Sequence, residues 1–169
     1  MHVLAIAVIS LDGFLTKKDE KGVSFASPED QAQFRSTLSS CDAAVMGRRT
    51  FDVERDRLVR ATSGPVRIVM TRSPDRFADL ERPGVVEFSS ASPRTILSSL
   101  ADRGIGRVAI LGGAQVYTLF QADGLLDELL VTVEPRLLGA GTPLLARPTD
   151  ERLRLVEHQL LNQSTLLLR

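Results

Sequence analysis

Six short runs dominated by Val, Ile, Leu and Ala, at residues 3–9, 43–46, 66–70, 85–88, 108–111 and 129–133, alternate with stretches that carry helical spacing, at 28–40, 48–58, 93–102 and 114–122. This alternation constrains the chain more than any other feature. Continuous apolar runs of strand length are what a strand buried on both faces requires, and parallel neighbours need a crossover connection, usually a helix. The chain is therefore expected to form a three-layer α/β/α domain around a mixed, mostly parallel central sheet. Two closing runs, 153–161 and 164–168, have no helix between them and are expected to pair antiparallel at one side. Residues 10–27, 60–65, 72–84 and 134–150 are expected to be irregular. The last of these, EPRLLGAGTPLLARPTD, is a candidate loop over a site or an interface.

At 169 residues the chain is expected to be one domain, 1–169, with no linker dividing it. Lys plus Arg and Asp plus Glu balance at 21 each, so no overall field argues for nucleic acid or an anionic membrane, and a basic site must be local. One cysteine, Cys41, and two histidines, His2 and His158, leave no Cys/His set for zinc, and no metal is expected. The apolar run at 3–9 is too short to span a membrane and has no basic segment before it, which points to a buried strand and a cytoplasmic setting.

In open α/β sheets, ligands bind beyond the carboxyl ends of the parallel strands. Four loops at such ends carry polar or glycine-rich chemistry. SLDGFL holds Asp12 and Gly13. MGRRT combines Gly47, two guanidinium groups at Arg48 and Arg49, and the Thr50 hydroxyl at a helix start. Backbone donors, the positive end of a helix and forked cations together form an anion site, and positive side chains are otherwise slightly unfavourable there. Thr71 and Arg72 follow the next strand, and LGGAQVY places Gly112 and Gly113 before a second helix start at Ala114, Gln115 and Val116. Two such helix starts in one crevice suit a dinucleotide with an extra phosphate. Neither GxGxxG nor GxxxxGK[ST] is present. Asp12-Gly13 also reads as an ordinary turn, and Ser27, Pro28, Glu29 and Asp30 read as a capped helix N-terminus.

The ordered set AVISLDGFL, CDAAVMGRRTFD, ILGGAQVYTLF and LLDELLVTVEPRLLGAGTPLL resembles the dihydrofolate-reductase-like superfamily. Within it, SLDG, the Asp-Glu-Leu at 127–129 and PRLLGAG resemble the pyrimidine reductases of riboflavin biosynthesis, the C-terminal half of bifunctional deaminase-reductases. The resemblance implies an NADPH-dependent reductase and a homodimer. It implies that the backbone of Ala7 holds the nicotinamide carboxamide and that Arg48, Arg49 and Thr50, after Gly47, hold the adenosine phosphates. Thr71 and Arg72 flank the 2′-phosphate, and Gly112, Gly113, Ala114, Gln115 and Val116 the pyrophosphate. It also implies a cis peptide bond between Gly112 and Gly113 and a place for Asp12 beside the nicotinamide.

For the substrate, the resembled riboflavin enzymes carry a Trp before the first helix and an Arg in its first turns. This chain has Phe25 and Gln31 there, and only RDRLVR, with Asp56 and Arg60, after the MGRRT helix. Folate reductases instead carry a carboxylate one turn before a Phe on that helix. Asp30 and Phe34 match that spacing and share a helical face, so Asp30 is a second candidate for proton delivery. A phosphoribosyl-pyrimidine and a pterin both stay open as substrate classes. A nucleotide-binding module with little catalytic power is the third reading.

Overall fold

The structure is a computed structural model that describes residues 1–18 and 20–169. Among the described residues, ten strands and four α-helices follow in the order β1 (His2–Ser10), β2 (Phe14–Lys17), α1 (Pro28–Ser39), β3 (Ala43–Gly47), α2 (Arg48–Arg60), β4 (Val66–Met70), β5 (Val86–Ser89), α3 (Pro93–Asp102), β6 (Arg107–Ile110), α4 (Ala114–Ala122), β7 (Glu128–Glu134), β8 (Gly141–Pro143), β9 (His158–Leu160) and β10 (Leu166–Leu168), with a 3-10 helix, Pro74–Leu80, between β4 and β5. Eight strands form one sheet in the order β5-β4-β3-β6-β1-β7-β10-β9. The first six run parallel, while β10 pairs antiparallel with both β7 and β9. The sheet is mixed and mostly parallel, as the alternation of apolar runs and helices requires.

Side chains alternate across this sheet with the period of two that strands impose. Leu4, Ile6, Ala44 and Ala109 pack under Phe34 and Leu38 of α1, and on the same face Met46, Val69 and Phe88 receive Phe51 and Leu58 of α2. On the opposite face, Val3, Ala5, Val45, Val108 and Ile110 meet Ile96 and Leu100 of α3 and Val116, Tyr117 and Phe120 of α4. Phe51 is fully buried and lies edge-on to Phe88 and Phe77, with centroids 5.2 and 6.2 Å away. Each such pair contributes about 0.5–1.5 kcal/mol beyond area burial. The first turn of α2, which carries Arg48 to Thr50, is thereby anchored to the sheet.

Two stretches expected to be irregular contain strands. β2 and β8 pair antiparallel as a separate two-stranded ribbon, with Thr16 opposite Thr142 and Lys17 opposite Gly141. Strands of four and three residues, punctuated by Gly and Pro and paired across the length of the chain, carry too little periodicity to be seen locally. Of the run at 153–161, only His158–Leu160 is a regular strand, although Val156 and Glu157 still donate their N–H groups to the Arg169 carbonyl. Among the described residues, no helix is long and apolar enough to cross a membrane.

Candidate active site

The N-termini of α2 and α4 come together at the carboxyl ends of β3 and β6. β3 and β6 are hydrogen-bonded neighbours, and beyond their ladder the Gly47 N–H donates to the Gly112 carbonyl at 2.7 Å. The Gly112–Gly113 peptide bond is cis and Gly112 has φ +80°, a region that favours glycine. A Cβ at Gly112 would collide with the Tyr117 ring, whereas one at Gly113 would find only the Thr50 hydroxyl, at 3.8 Å. Gly113 thus presents open backbone beside Thr50.

The first amides of both helices have no intrahelical acceptor, so they form two adjacent sets of positive dipole ends. Gly113, Ala114 and Gln115 belong to the α4 set. Val116 does not, because its N–H already donates to the Gly113 carbonyl at 2.8 Å and its side chain is buried against the Gly47 position. Arg48 is ion-paired with Asp52 one turn along α2. Arg49 and Arg72 are exposed and have no hydrogen-bond or ion-pair partner among the described residues, and Thr71 is half-buried beside Arg72. Asp56 and Arg60 are exposed on α2, away from the core side that Phe51 and Leu58 occupy.

Ala7 lies in β1 just past the point where pairing with β6 stops. That ladder runs from His2 to Ala5, while pairing with β7 continues to Ser10. The edge of β1 facing the diverging Gly-Gly turn therefore lacks a strand partner at residues 6–10. The Tyr117 hydroxyl donates to the Ile6 carbonyl at 2.5 Å across this gap, and burial pushes the Tyr117 phenol pKa up.

Asp12 and Asp30 occupy unlike environments. Asp12 accepts from the Ser10 hydroxyl at 2.6 Å, from the Leu138 N–H at 3.0 Å and from the Gly139 N–H at 2.7 Å. The Ser10 bond first, then Gly139, hold its carboxyl below the usual aspartate range. It latches the SLDG turn to the loop after β7 and stands as an anion.

Asp30 is 7% exposed, in the first turn of α1 after the Ser27 cap, whose Oγ accepts from the Asp30 N–H. Burial raises its carboxyl pKa; the Thr132 hydroxyl opposes that shift and the negative charge of Glu134 adds to it. Phe34, one turn on, packs on the sheet as the shared face requires.

Glu134 was not among the residues nominated from sequence. It is 3% exposed at the end of β7, where Oε1 accepts from the Ser27 N–H at 2.7 Å and Oε2 from the Thr165 hydroxyl at 2.8 Å. The available signal was its register: Thr132 and Glu134 are two apart on one strand and so share a face. An open depression of about 800 Å³ lies against it, lined by Phe25, Ser27, Arg136, Asn162 and Thr165 among others. Gln31, by contrast, is exposed.

A family model described as the RibD C-terminal domain matches residues 1–167. The chain is 31% identical over 157 residues to the uncharacterized protein YwjB of Bacillus subtilis (strain 168), covering 90% of this chain and 87% of that one. It is 26% identical over 172 residues to the 2,5-diamino-6-ribosylamino-4(3H)-pyrimidinone 5′-phosphate reductase of Methanothermobacter thermautotrophicus, covering 82% and 79%. Among solved structures, the diaminohydroxyphosphoribosylaminopyrimidine deaminase/5-amino-6-(5-phosphoribosylamino)uracil reductase of Thermotoga maritima superposes with a TM-score of 0.79 at 19% identity. That superposition covers 99% of this chain and 55% of the longer one.

Proposed function

The chain belongs to the RibD C-terminal domain family, a reductase family with the dihydrofolate-reductase-like fold, and from that premise we propose that it is an NADPH-dependent reductase of an aminopyrimidine-type substrate. The observation that carries this reading is the junction of the α2 and α4 N-termini through Gly47 and Gly112.

The residues present fit a phosphorylated dinucleotide. Gly113 leaves backbone accessible next to the Thr50 hydroxyl, a cradle that a larger side chain would narrow. The amides of Gly113, Ala114 and Gln115 would bind the pyrophosphate, and those of Arg48, Arg49 and Thr50 a second phosphate group. Arg49 and Arg72, with Thr71, would recognise a 2′-phosphate; Arg48 would join them on leaving Asp52. The unpaired edge of β1 at Ala7 would receive a carboxamide. When bound, such a cofactor supplies a hydride.

On the substrate side, burial raises the pKa of Asp30, so its carboxyl would keep a proton to higher pH than an ordinary aspartate and would present it to a ring nitrogen or imine. Asp12, held as an anion, shapes the loop over the site instead of donating a proton. We also propose a homodimer, because Leu153, Leu155, Val156 and Leu160 are all exposed beside the edge strand β9. The 2,5-diamino-6-ribosylamino-pyrimidinone 5′-phosphate reduced by the Methanothermobacter relative is the first substrate to offer, with dihydrofolate as the competing pterin.

The test is titration of the purified chain with NADPH and NADH, followed by turnover with both substrate classes. Tighter NADPH binding and reduction of the aminopyrimidine support the reading. Absence of nucleotide binding sinks it, and binding without turnover leaves a nucleotide-binding module.

A further inference from the structure

A cavity of about 270 Å³ lies against α1 at the amino ends of β1, β6 and β7, the opposite end of the parallel strands from the Gly47–Gly112 junction. Leu4, Leu130 and Leu167 line it from the sheet and give it an apolar floor. The charged groups in its wall, Arg107, Glu128, Glu157 and Arg169, are unequally committed. Glu128 lies 3.0 Å from His2 Nε2 and 2.6 Å from Arg169 Nε, and Glu157 lies 3.6 Å from Arg169 Nη1. Arg107 has no such partner. Asp42 accepts its backbone N–H at 2.8 Å, but among the described residues no carboxylate pairs with its guanidinium. Its Nε is buried with no hydrogen-bond partner. Buried donors are normally paired, so a guanidinium left unmatched in the wall of a cavity calls for an anion that the chain does not supply.

We propose that this cavity is a second ligand site, for a small monocarboxylate whose charged end meets Arg107 and whose apolar body lies on Leu4, Leu130 and Leu167. Size sets the first limit. Small-molecule sites usually measure about 300–1,000 Å³, so a cavity of about 270 Å³ suits a ligand smaller than a dinucleotide or a phosphoribosyl-pyrimidine. Charge sets the second. One cation is free, and the Glu128 and Glu157 carboxylates share the wall with it, so a single negative charge is matched while a phosphate dianion is opposed. Both carboxylates already have cationic partners, so an amine gains less here than a carboxylate does. A guanidinium also presents paired donors that match the two oxygens of a carboxylate. The site stands apart from the dinucleotide crevice and does not rest on the reductase reading.

The test is an amide NMR titration of the ¹⁵N-labelled full chain with three probes of one length: sodium hexanoate, hexanol and hexylamine. Hexanoate should shift the amides of Leu4, Gln33, Arg107 and Leu130, which line the cavity, and leave those of Gly113 and Ala114 in place. Hexanol and hexylamine should bind about 10-fold more weakly or worse, the loss expected when a charge-assisted hydrogen bond goes unmade. Arg107→Gln should erase the preference, weakening hexanoate by about 10-fold and leaving hexanol unchanged. A thermal melt checks that this variant folds, and if it does not, the three probes on the wild type still decide. No shift at roughly 10 mM hexanoate, about ten times a millimolar Kd, overturns the proposal. So do equal binding of hexanoate and hexanol, shifts centred on Gly113, and a folded Arg107→Gln protein that binds hexanoate as the wild type does.

Discussion

The Gly47 N–H donates to the Gly112 carbonyl at 2.7 Å, and this one bond fixes the start of α2 against the start of α4. The glycines around it do different jobs. Gly112→Ala would drive a methyl group into the Tyr117 ring at a positive φ, and should destabilise the fold by about 2–4 kcal/mol or prevent folding, the range of severe packing and backbone conflicts. Gly113→Ala meets nothing closer than Thr50 Oγ1 at 3.8 Å, so it should fold with near-normal stability yet lose nucleotide affinity. Denaturant melts and nucleotide titrations on the two variants separate stability from binding. Full nucleotide affinity in a folded Gly113→Ala protein would refute the cradle.

Cofactor selectivity should rest on the unpaired cations. Arg49→Ala and Arg72→Ala should each weaken NADPH by roughly 1.5–3 kcal/mol, about 10- to 150-fold, with little change for NADH. Arg48→Ala should cost less than either, because Arg48 must first leave Asp52. Isothermal titration with both nucleotides decides the matter, and equal losses for NADPH and NADH would remove the 2′-phosphate from these residues.

Asp12→Asn should loosen the loop after β7 without unfolding the sheet, since the carboxylate accepts from both Leu138 and Gly139 and an amide offers one acceptor in place of two. Amide hydrogen exchange should accelerate at those two residues while the β1 and β7 amides stay protected. The Asp12 pKa is depressed in the folded chain, so the latch is fully present above the ordinary aspartate value and is lost as pH falls through the lower folded value. Unchanged exchange at Leu138 and Gly139 would show that the latch is not what orders the loop.

Much of this architecture is written locally. The runs at 66–70, 93–102 and 114–122 fall on β4, α3 and α4 to the residue, because continuous apolar strands and capped helices carry their own signal. The helix-start chemistry of MGRRT and LGGAQVY was readable for the same reason. β2 and β8 were not, since each owes its existence to a partner across the chain. Glu134 was missed because a glutamate closing an apolar strand looks like a solvent-facing terminus. Only the approach of α1 and the segment before β10 buries it. Val116, counted with the cofactor contacts, turns out to be a packing residue whose N–H is taken within its own helix turn.

The edge of the sheet should pair with a second copy. Leu153, Leu155, Val156 and Leu160 are 69%, 61%, 63% and 62% exposed, an apolar row beside β9. Light scattering at roughly tens of micromolar should give a dimer, and the double change Leu153→Glu and Leu155→Glu a folded monomer. A monomeric wild type at that concentration sinks the interface.

Asp30→Asn should abolish turnover and stabilise the protein at neutral pH. The folded-state pKa of Asp30 is raised by burial and by Glu134 above the value of 3.8 that an unperturbed aspartate has. Below that value both the folded and the unfolded chain keep the proton, and Asp30 costs nothing. As pH rises past it, the unfolded chain releases its proton while the folded chain does not, so stability falls until the pH passes the folded value and stays lower from there on. The asparagine variant escapes this loss. Its gain should be on the order of 1 kcal/mol, the scale usually recovered when a functional residue is relieved of strain or burial, or about 2–4 °C in Tm for a chain of this size. Thermal melts of both proteins should diverge at neutral pH and converge in acid. A wild type more stable than Asp30→Asn at neutral pH would mean that the charged form is the one the fold favours, and Asp30 would then lose its place as the proton donor.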